Sequence, residues 1–152
     1  MPDTASLRVL LVEDNPVHAK LISRAIHESQ PSTEVIHVTD GEPAMDMLLR
    51  RGDYLAEPTW RLPDLVVLDL RLPDMDGFEV LQVVRATESI RHLPVIVVSS
   101  SDLQEDVMLS YRHGANTYIV KPADYSDFLH RMGGLHEYWR KVAVLPRGAH
   151  SA

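Results

Sequence analysis

The chain has 152 residues, of which 45% are hydrophobic and none is cysteine, and its formal net charge is −7. This length favours one domain with its own core, and the lack of cysteine excludes disulfides, thiol catalysis and cysteine-based zinc sites. The acidic balance without a basic patch argues against nucleic-acid binding, and no apolar stretch approaches the roughly 20 residues that span a bilayer, so we expect a cytoplasmic protein with no membrane partner.

Short apolar runs alternate with segments of helical period along the chain. The apolar runs predict buried strands, and the periodic segments predict helices. The strict alternation of five strands with five helices predicts an α/β fold, a doubly wound parallel sheet in a three-layer sandwich. The predicted elements are strand 9–12, helix 16–28, strand 34–38, helix 41–51 after the cap Asp40, the long loop 52–63, strand 65–68, helix 78–87, strand 94–98, helix 102–113, strand 116–120 and helix 124–140.

Ionisable residues follow three of the predicted strands. Glu13-Asp14 follows the first strand, Asp69 the third and Lys121 the fifth. Because ligands of such sheets bind at the carboxyl ends of the strands, three carboxylates and one ammonium are expected at one edge. Neighbouring carboxylates repel one another unless a cation lies among them, so this edge suits Mg²⁺ and phosphoryl transfer.

Five signals in order make the chain resemble a receiver domain, the phosphoacceptor half of two-component signalling. They are the acidic pair, Asp69, the Pro-x-x-Asp-Gly turn at 73–77, a hydroxyl residue after the fourth strand and Lys121-Pro122. Ser99 lies 30 positions after Asp69 and Lys121 lies 22 positions after Ser99, which matches the family pattern. The resemblance covers about residues 7–140 and implies the flavodoxin-like strand order 2-1-3-4-5.

The resemblance also implies a role for each residue at this edge. Asp69 would accept the phosphoryl group, Lys121 and Ser99 would bind its oxygens, and Ser99 with Tyr118 would form a switch. In the family the bond between Lys121 and Pro122 is usually cis, which would hold the lysine toward the site. The ligands of Mg²⁺ would be Glu13, Asp14, Asp69 and the backbone carbonyl of Arg71.

Each of these residues has a purely structural interpretation as well. Glu13-Asp14 could act on the dipole of the following helix, and Asp69 could form a turn. Ser99 lies in a serine run in which Ser101 or Asp102 could cap the next helix. Tyr118 could simply pack in the core or at an edge. The eight histidines show no zinc-helix spacing, and we expect them at surface or packing positions.

Three features depart from the common family pattern. Glu13 replaces the more usual aspartate, and Arg71 places a large cation at the mouth of the site. The stretch 51–63 lengthens the connection between the second helix and the third strand. This excursion, together with the Asp-Leu-Arg-Leu-Pro segment at 69–73, is similar to small regulators paired with phytochrome kinases. We therefore expect a histidine kinase as partner, with a bacteriophytochrome as the specific candidate.

The last helix and the residues after it form a further departure. Part of their apolar stripe should pack on the sheet, but apolar residues continue beyond the usual receiver end, and such a patch often marks a partner surface. We assign residues 1–141 to the receiver domain and 142–152 to a C-terminal tail, and we hypothesise a homodimer through both. Gly133-Gly134 allow a bend in the helix. The stripe consists of Phe128, Met132, Leu135, Trp139 and Val142.

The sequence predicts a response regulator without an output domain and without enzyme activity beyond its own phosphotransfer and autodephosphorylation. It would accept a phosphoryl group on Asp69 and signal through protein contacts or onward phosphorelay. Two alternatives stay open. One is a degenerate receiver that only binds proteins. The other is a dehalogenase-like phosphatase, which needs an aspartate two residues after its nucleophile, where this chain has Arg71.

Overall fold

A five-stranded parallel sheet organises the protein, whose computed structural model describes residues 7–139 and 144–146. The strands are β1 (Arg8–Val12), β2 (Glu34–Val38), β3 (Leu65–Leu68), β4 (Val95–Ser99) and β5 (Thr117–Val120). The α-helices are α1 (Pro16–Ser29), α2 (Gly41–Leu48), α3 (Gly77–Ala86), α4 (Gln104–Arg112) and α5 (Tyr125–Glu137). The spatial order β2-β1-β3-β4-β5 confirms the predicted topology.

Both faces of the sheet are buried, which explains the nearly continuous apolar strands. Successive residues of β1 point to opposite faces. Leu10 and Val12 pack with residues of α2 and α3, whereas Val9 and Leu11 pack with residues of α1 and α5. Burying each such side chain contributes roughly 1.5–3 kcal/mol, so the two apolar layers fix the sheet between the helices.

The helices begin mostly where the sequence predicts, because polar caps satisfy their first amides. Asn15 accepts from two amides of α1, and Asp40 accepts from Gly41 N at the start of α2. The cap predicted at Ser101 or Asp102 is wrong. α4 begins at Gln104, and its cap residue, Leu103, supplies no side-chain hydrogen bond. Ser101 Oγ instead accepts from Leu103 N at 3.2 Å, in the turn before the helix.

The connection from α2 to β3 leaves the helix earlier than predicted. α2 ends at Leu48, and Arg50 then adopts a left-handed backbone with φ of 54°. A short 3₁₀ turn follows at Gly52–Tyr54. Trp60 folds this excursion back, because its indole N–H donates to Met47 O at 2.8 Å.

Most of the predicted stripe on α5 packs inside its own chain. Phe128 and Met132 are buried, and Leu135 and Trp139 pack against the same apolar cluster as α1. The stripe residue Val142 lies outside the described residues. Of the tail, Leu145 packs against this cluster and Val144 is 95% exposed. No helix in the described part of the chain is long and apolar enough to cross a membrane.

Candidate functional site

The sheet register places the predicted site residues at one edge. The backbone ladder continues one residue past each strand, because Glu13 N donates to Val38 O at 3.0 Å and Asp69 N donates to Val12 O at 3.0 Å. Lys121 N likewise donates to Ser99 O at 2.8 Å. The side chains that follow β1, β3 and β5 therefore start from a rigid frame, which makes their mutual distances a property of the sheet.

Three carboxylates and one ammonium meet at this edge. Glu13, Asp14 and Asp69 each offer a carboxylate oxygen, and these oxygens all lie within 4.8 Å of one another. Lys121 Nζ lies 2.7 Å from Glu13 Oε1 and 3.2 Å from Asp69 Oδ2. One ammonium leaves an excess of negative charge among three carboxylates. An oxygen-rich, negatively charged cluster of this kind fits a hard divalent cation, and Asp14, which is exposed, gives it a route from solvent.

The electrostatics of the cluster centre on Glu13, which is 1% exposed. Burial raises the pKa of Glu13 from 4.5 to about 7; the hydrogen bond from Lys121 opposes this rise and the charge of Asp69 adds to it. Without a cation, Glu13 is therefore partly protonated near neutral pH. A cation that needs its charge must release that proton.

The turn after β3 is packed tightly beneath Asp69. Arg71 N donates to Asp69 Oδ1 at 3.3 Å, and Gly77 N donates to Leu70 O at 2.9 Å. A Cβ on Gly77 would lie 2.4 Å from Asp69 O and 2.7 Å from Leu70 Cα, so only glycine fits at the end of this turn. The predicted metal-ligand role of the Arg71 carbonyl stays a prediction.

Asp40 holds the same turn from the side of α2. Its carboxylate accepts from Asp74 N at 3.1 Å and from Met75 N at 3.2 Å, in addition to Gly41 N. Burial pushes the pKa of Asp40 up, but the backbone N–H groups of Gly41, Met75 and Asp74 outweigh it and hold the pKa below its usual value. This carboxylate therefore fixes the turn in its ionised form.

The predicted switch residues meet at the turn after β4. Ser99 is fully buried, and its Oγ accepts from Ser101 N at 3.1 Å. The Tyr118 hydroxyl donates to Ser101 O at 2.8 Å, and its ring packs against the core cluster of α2 and α3. Both residues thus contact one turn, while their switching roles stay predictions.

Two expectations about the lysine and its surroundings need correction. No described peptide bond is cis, so the cis bond expected between Lys121 and Pro122 is wrong. Lys121 is oriented instead by Glu13 and Asp69, its two carboxylate partners. His18, expected to be a surface or packing residue, lies at the site, with Nδ1 3.0 Å from Lys121 Nζ.

His18 must accept this hydrogen bond, because an ammonium can only donate. Burial lowers the pKa of His18, and the charge of Lys121 lowers it further, so the neutral ring is favoured. The sequence signal that could have revealed it is its place in the first turn of a helix that starts just after Asp14. That turn lies at the same sheet edge as the acidic pair.

The comparisons with known proteins agree with this geometry. A family model described as the response regulator receiver domain matches residues 9–132. The chain is 37% identical over 132 residues to the probable methanogenesis regulatory protein FilR2 of Methanothrix harundinacea, covering 86% of this chain and 82% of that protein. It is 33% identical over 138 residues to the response regulator Rcp1 of Synechocystis sp., covering 91% and 92%.

Solved structures of response regulators also superpose on most of this chain. The phosphorylated cyanobacterial phytochrome response regulator RcpA matches with a TM-score of 0.87 and 37% identity, covering 93% of this chain and 99% of that one. The Mn²⁺-bound form of Rcp1 matches with a TM-score of 0.85 and 32% identity, covering 92% and 99%. The chain thus belongs to the response regulator receiver domain family, a signalling family, and is similar to regulators of phytochromes.

Proposed function

We propose that this protein accepts a phosphoryl group from a histidine kinase on Asp69 and signals through phosphorylation-dependent protein contacts or onward phosphorelay. The observation that carries the proposal is the contact of Asp69 with Lys121 inside a cluster of three carboxylates. Asp69 is only 6% exposed, so its carboxylate is shielded from bulk water yet adjoins the exposed Asp14. Such a carboxylate is suited to take up a phosphoryl group from a docked donor.

The transfer is a displacement at phosphorus. An oxygen of Asp69 forms a bond to phosphorus while the bond from phosphorus to the imidazole nitrogen of the donor breaks, and that nitrogen leaves with its electron pair and takes up a proton. Lys121 pairs as a point charge with a phosphoryl oxygen. The Ser99 hydroxyl, now an acceptor for Ser101 N, is free to donate its own proton to a second phosphoryl oxygen.

Glu13, Asp14 and Asp69, with the Arg71 carbonyl, would hold the cation that the cluster fits. We assign Mg²⁺, because carboxylate and carbonyl oxygens are the ligands that this hard ion prefers. The Mn²⁺-bound form of Rcp1 supports a divalent ion in a relative. When bound, the ion supplies positive charge that offsets the carboxylates and the incoming phosphoryl oxygens.

The kinase partner follows from the similarity to phytochrome regulators, so we propose a bacteriophytochrome-type histidine kinase in the cytoplasm. A cavity of about 470 Å³ adjoins the site between α1 and the start of α5, lined in part by Val17, His18 and Phe128. Its apolar rim and the neighbouring Lys121 suit an approach of the donor from this side.

We also propose a receiver domain over residues 1–141 and a homodimer through α5 and the tail 142–152. Two observations support the dimer. Tyr138 is 49% exposed at the end of α5 and Val144 is 95% exposed in the tail. Exposed apolar side chains near the chain end favour burial against a second copy of the same surface.

Phosphorylation with acetyl phosphate and Mg²⁺, followed by mass spectrometry, tests the central proposal. We expect a labile adduct of roughly 80 Da, one phosphoryl group, that is lost in Asp69→Asn and kept in the matched control Asp102→Asn, whose side chain is exposed. An unmodified wild-type chain would indicate a degenerate receiver instead. Repeated turnover of phosphomonoesters would indicate a phosphatase.

A further inference from the structure

The helix α4 is attached to the protein differently from the other helices. α1, α2, α3 and α5 each bury apolar residues in one of the two core clusters. α4, which is described in full, contributes no residue to either cluster, and its buried residues are Asp106 and Ser110. The apolar residues Val107 and Leu109 of α4 are only half-buried. Because apolar burial is the main force that holds a helix on a sheet, α4 depends more than the other helices on polar contacts for its position.

The carboxylate of Asp106 makes the central polar contact. Asp106 is 6% exposed, and its Oδ2 accepts from Arg71 Nη2 at 2.7 Å and from Ser101 Oγ at 2.6 Å. Ser110 Oγ donates to the carbonyl of Asp106 at 2.8 Å. A buried carboxylate with two donors on one oxygen is stable while both donors stay, and losing the guanidinium would leave its charge poorly compensated.

Both donors belong to turns that follow neighbouring strands, β3 and β4, at the sheet edge that carries Asp69. Arg71 follows Asp69 by two residues, and its backbone N–H donates to the Asp69 carboxylate. Ser101 binds Ser99 Oγ through its amide and Tyr118 through its carbonyl. One side chain of α4 therefore holds the acceptor turn after β3 and the hydroxyl turn after β4.

The guanidinium of Arg71 has two possible anionic partners once Asp69 is phosphorylated. The Arg71 side chain is 64% exposed, so little packing holds it on Asp106. Its planar fork binds carboxylates and phosphates with the same geometry. A phosphoryl group carries about −1.5 to −2 charges, more than the single charge of a carboxylate, and is therefore the stronger competitor.

We propose that Asp106 is a positioning residue for the phosphoacceptor site. It binds the Arg71 guanidinium while Asp69 is unmodified, and a phosphoryl group on Asp69 draws Arg71 away from Asp106. The proposal rests on the proposed function and adds its regulation. Release of Arg71 removes one of the polar contacts on which α4 depends, so the helix loosens when the site is filled. By thermodynamic reciprocity, the contact of Asp106 with Arg71, which helps to hold α4, lowers the affinity of the site for a phosphoryl group.

A mutant cycle with beryllofluoride, a phosphoryl mimic, and Mg²⁺ tests the competition. Asp106→Asn keeps the shape and the Ser101 contact but weakens the hold on Arg71, and we expect it to raise beryllofluoride affinity about fivefold, the low end of typical couplings. Arg71→Ala should lower the affinity. The double variant should match Arg71→Ala, because Asp106 acts through Arg71. Affinities come from ¹⁹F NMR titration, with thermal unfolding to show that each variant is folded.

The inference is overturned if Asp106→Asn leaves the affinity unchanged, if it raises the affinity equally in the Arg71→Ala background, or if Arg71→Ala itself has no effect. The contact between Arg71 and Asp106 in the unmodified protein, here called the resting contact, is tested separately by amide hydrogen exchange without any mimic. We expect faster exchange of residues 104–109 in Asp106→Asn and in Arg71→Ala. Failure of the wild type to bind beryllofluoride and to accept phosphate would refute the proposed function, whereas normal exchange in both variants would refute the resting contact.

Discussion

The ammonium of Lys121 lies 2.7 Å from Glu13 Oε1, so the most deeply buried carboxylate of the site is paired with the lysine that follows β5. The pair does not keep Glu13 ionised at low pH, because burial raises its pKa to about 7. The charge of the site therefore changes within the physiological range, and both the affinity for Mg²⁺ and the stability of the cation-free protein should change with it.

The affinity for Mg²⁺ should rise with pH up to about pH 7 to 8 and then level off. Below the folded pKa of Glu13, which is about 7, the ion must displace a proton, so affinity falls by up to tenfold per pH unit. Isothermal titration calorimetry between pH 5.5 and 8.5 measures this profile. In Glu13→Gln the profile should be flatter, and a pH-independent wild type would contradict the prediction.

The stability of the cation-free protein should also depend on Glu13. The folded pKa of Glu13 is raised above its usual value of 4.5, so the folded state binds the proton more tightly. The contribution of Glu13 to stability is therefore complete below pH 4.5 and is lost as the pH rises through about 7. Relative to Glu13→Gln, the wild type should lose about 2–3 kcal/mol between pH 4.5 and 8, since one pKa unit corresponds to about 1.4 kcal/mol. Urea unfolding in EDTA at several pH values measures the difference. A constant difference between the two proteins would contradict it.

Lys121→Ala should separate cation binding from phosphorylation. Removing the ammonium leaves three carboxylates without a compensating charge, so Mg²⁺ affinity should rise severalfold, while the rate of phosphorylation should fall by roughly 10²-fold or more, as for loss of a charged group that binds the transferred phosphoryl. Calorimetry and mass spectrometry measure the two effects. Lys20→Ala, on the exposed face of α1, is the control and should change neither. A parallel fall in both quantities would show that the variant has lost its structure instead.

Gly77→Ala should damage the acceptor turn. The new Cβ would lie 2.4 Å from Asp69 O, so the backbone that carries Asp69 must shift, at about 1–3 kcal/mol of stability and with slower phosphorylation. Gly134→Ala is the matched control, because a Cβ there would meet no described atom within 4 Å apart from its own helix and chain neighbours. It should leave phosphorylation unchanged and stabilise the helix by up to about 1 kcal/mol. Equal effects of the two variants on phosphorylation would refute this packing argument.

The proposed homodimer should depend on the tail. Analytical ultracentrifugation at high micromolar concentration should give a dimer for the whole chain and a monomer for the chain ended after residue 141. Leu55→Ser changes an exposed apolar residue in the excursion after α2 and should leave the dimer intact. A monomeric whole chain, with or without phosphorylated Asp69, would remove the dimer from the proposal.

The sheet and its polar edge are predictable from sequence because strands leave a strong local signal. Apolar runs of three or four residues end just before Glu13, Asp69 and Lys121, and the register of a parallel sheet then brings their ends together. No comparable signal exists for His18, whose approach to Lys121 depends on the angle at which α1 leaves its cap. A single histidine in the first turn of a helix has no periodicity to reveal it.

The contact of Asp106 is hidden from sequence for a different reason. Hydrophobic period identifies the buried face of a helix, but the buried face of α4 consists of Asp106 and Ser110. A polar inner face looks like a solvent-facing one in a pattern of apolar residues. The three-dimensional contacts of Asp106 with Arg71, 35 positions earlier, and with Ser101 show that this face is turned inward.

The carboxylate of Asp40 links the start of α2 to the acceptor turn after β3, although Asp40 itself does not contact Asp69. The same two oxygens close the first turn of α2 and hold the amides of Asp74 and Met75. Substitutions of Asp40 will therefore shift the turn that positions Asp69, although Asp40 does not itself contact the phosphoryl group. Selection for acceptor reactivity consequently extends to a position that a screen for direct ligands would miss.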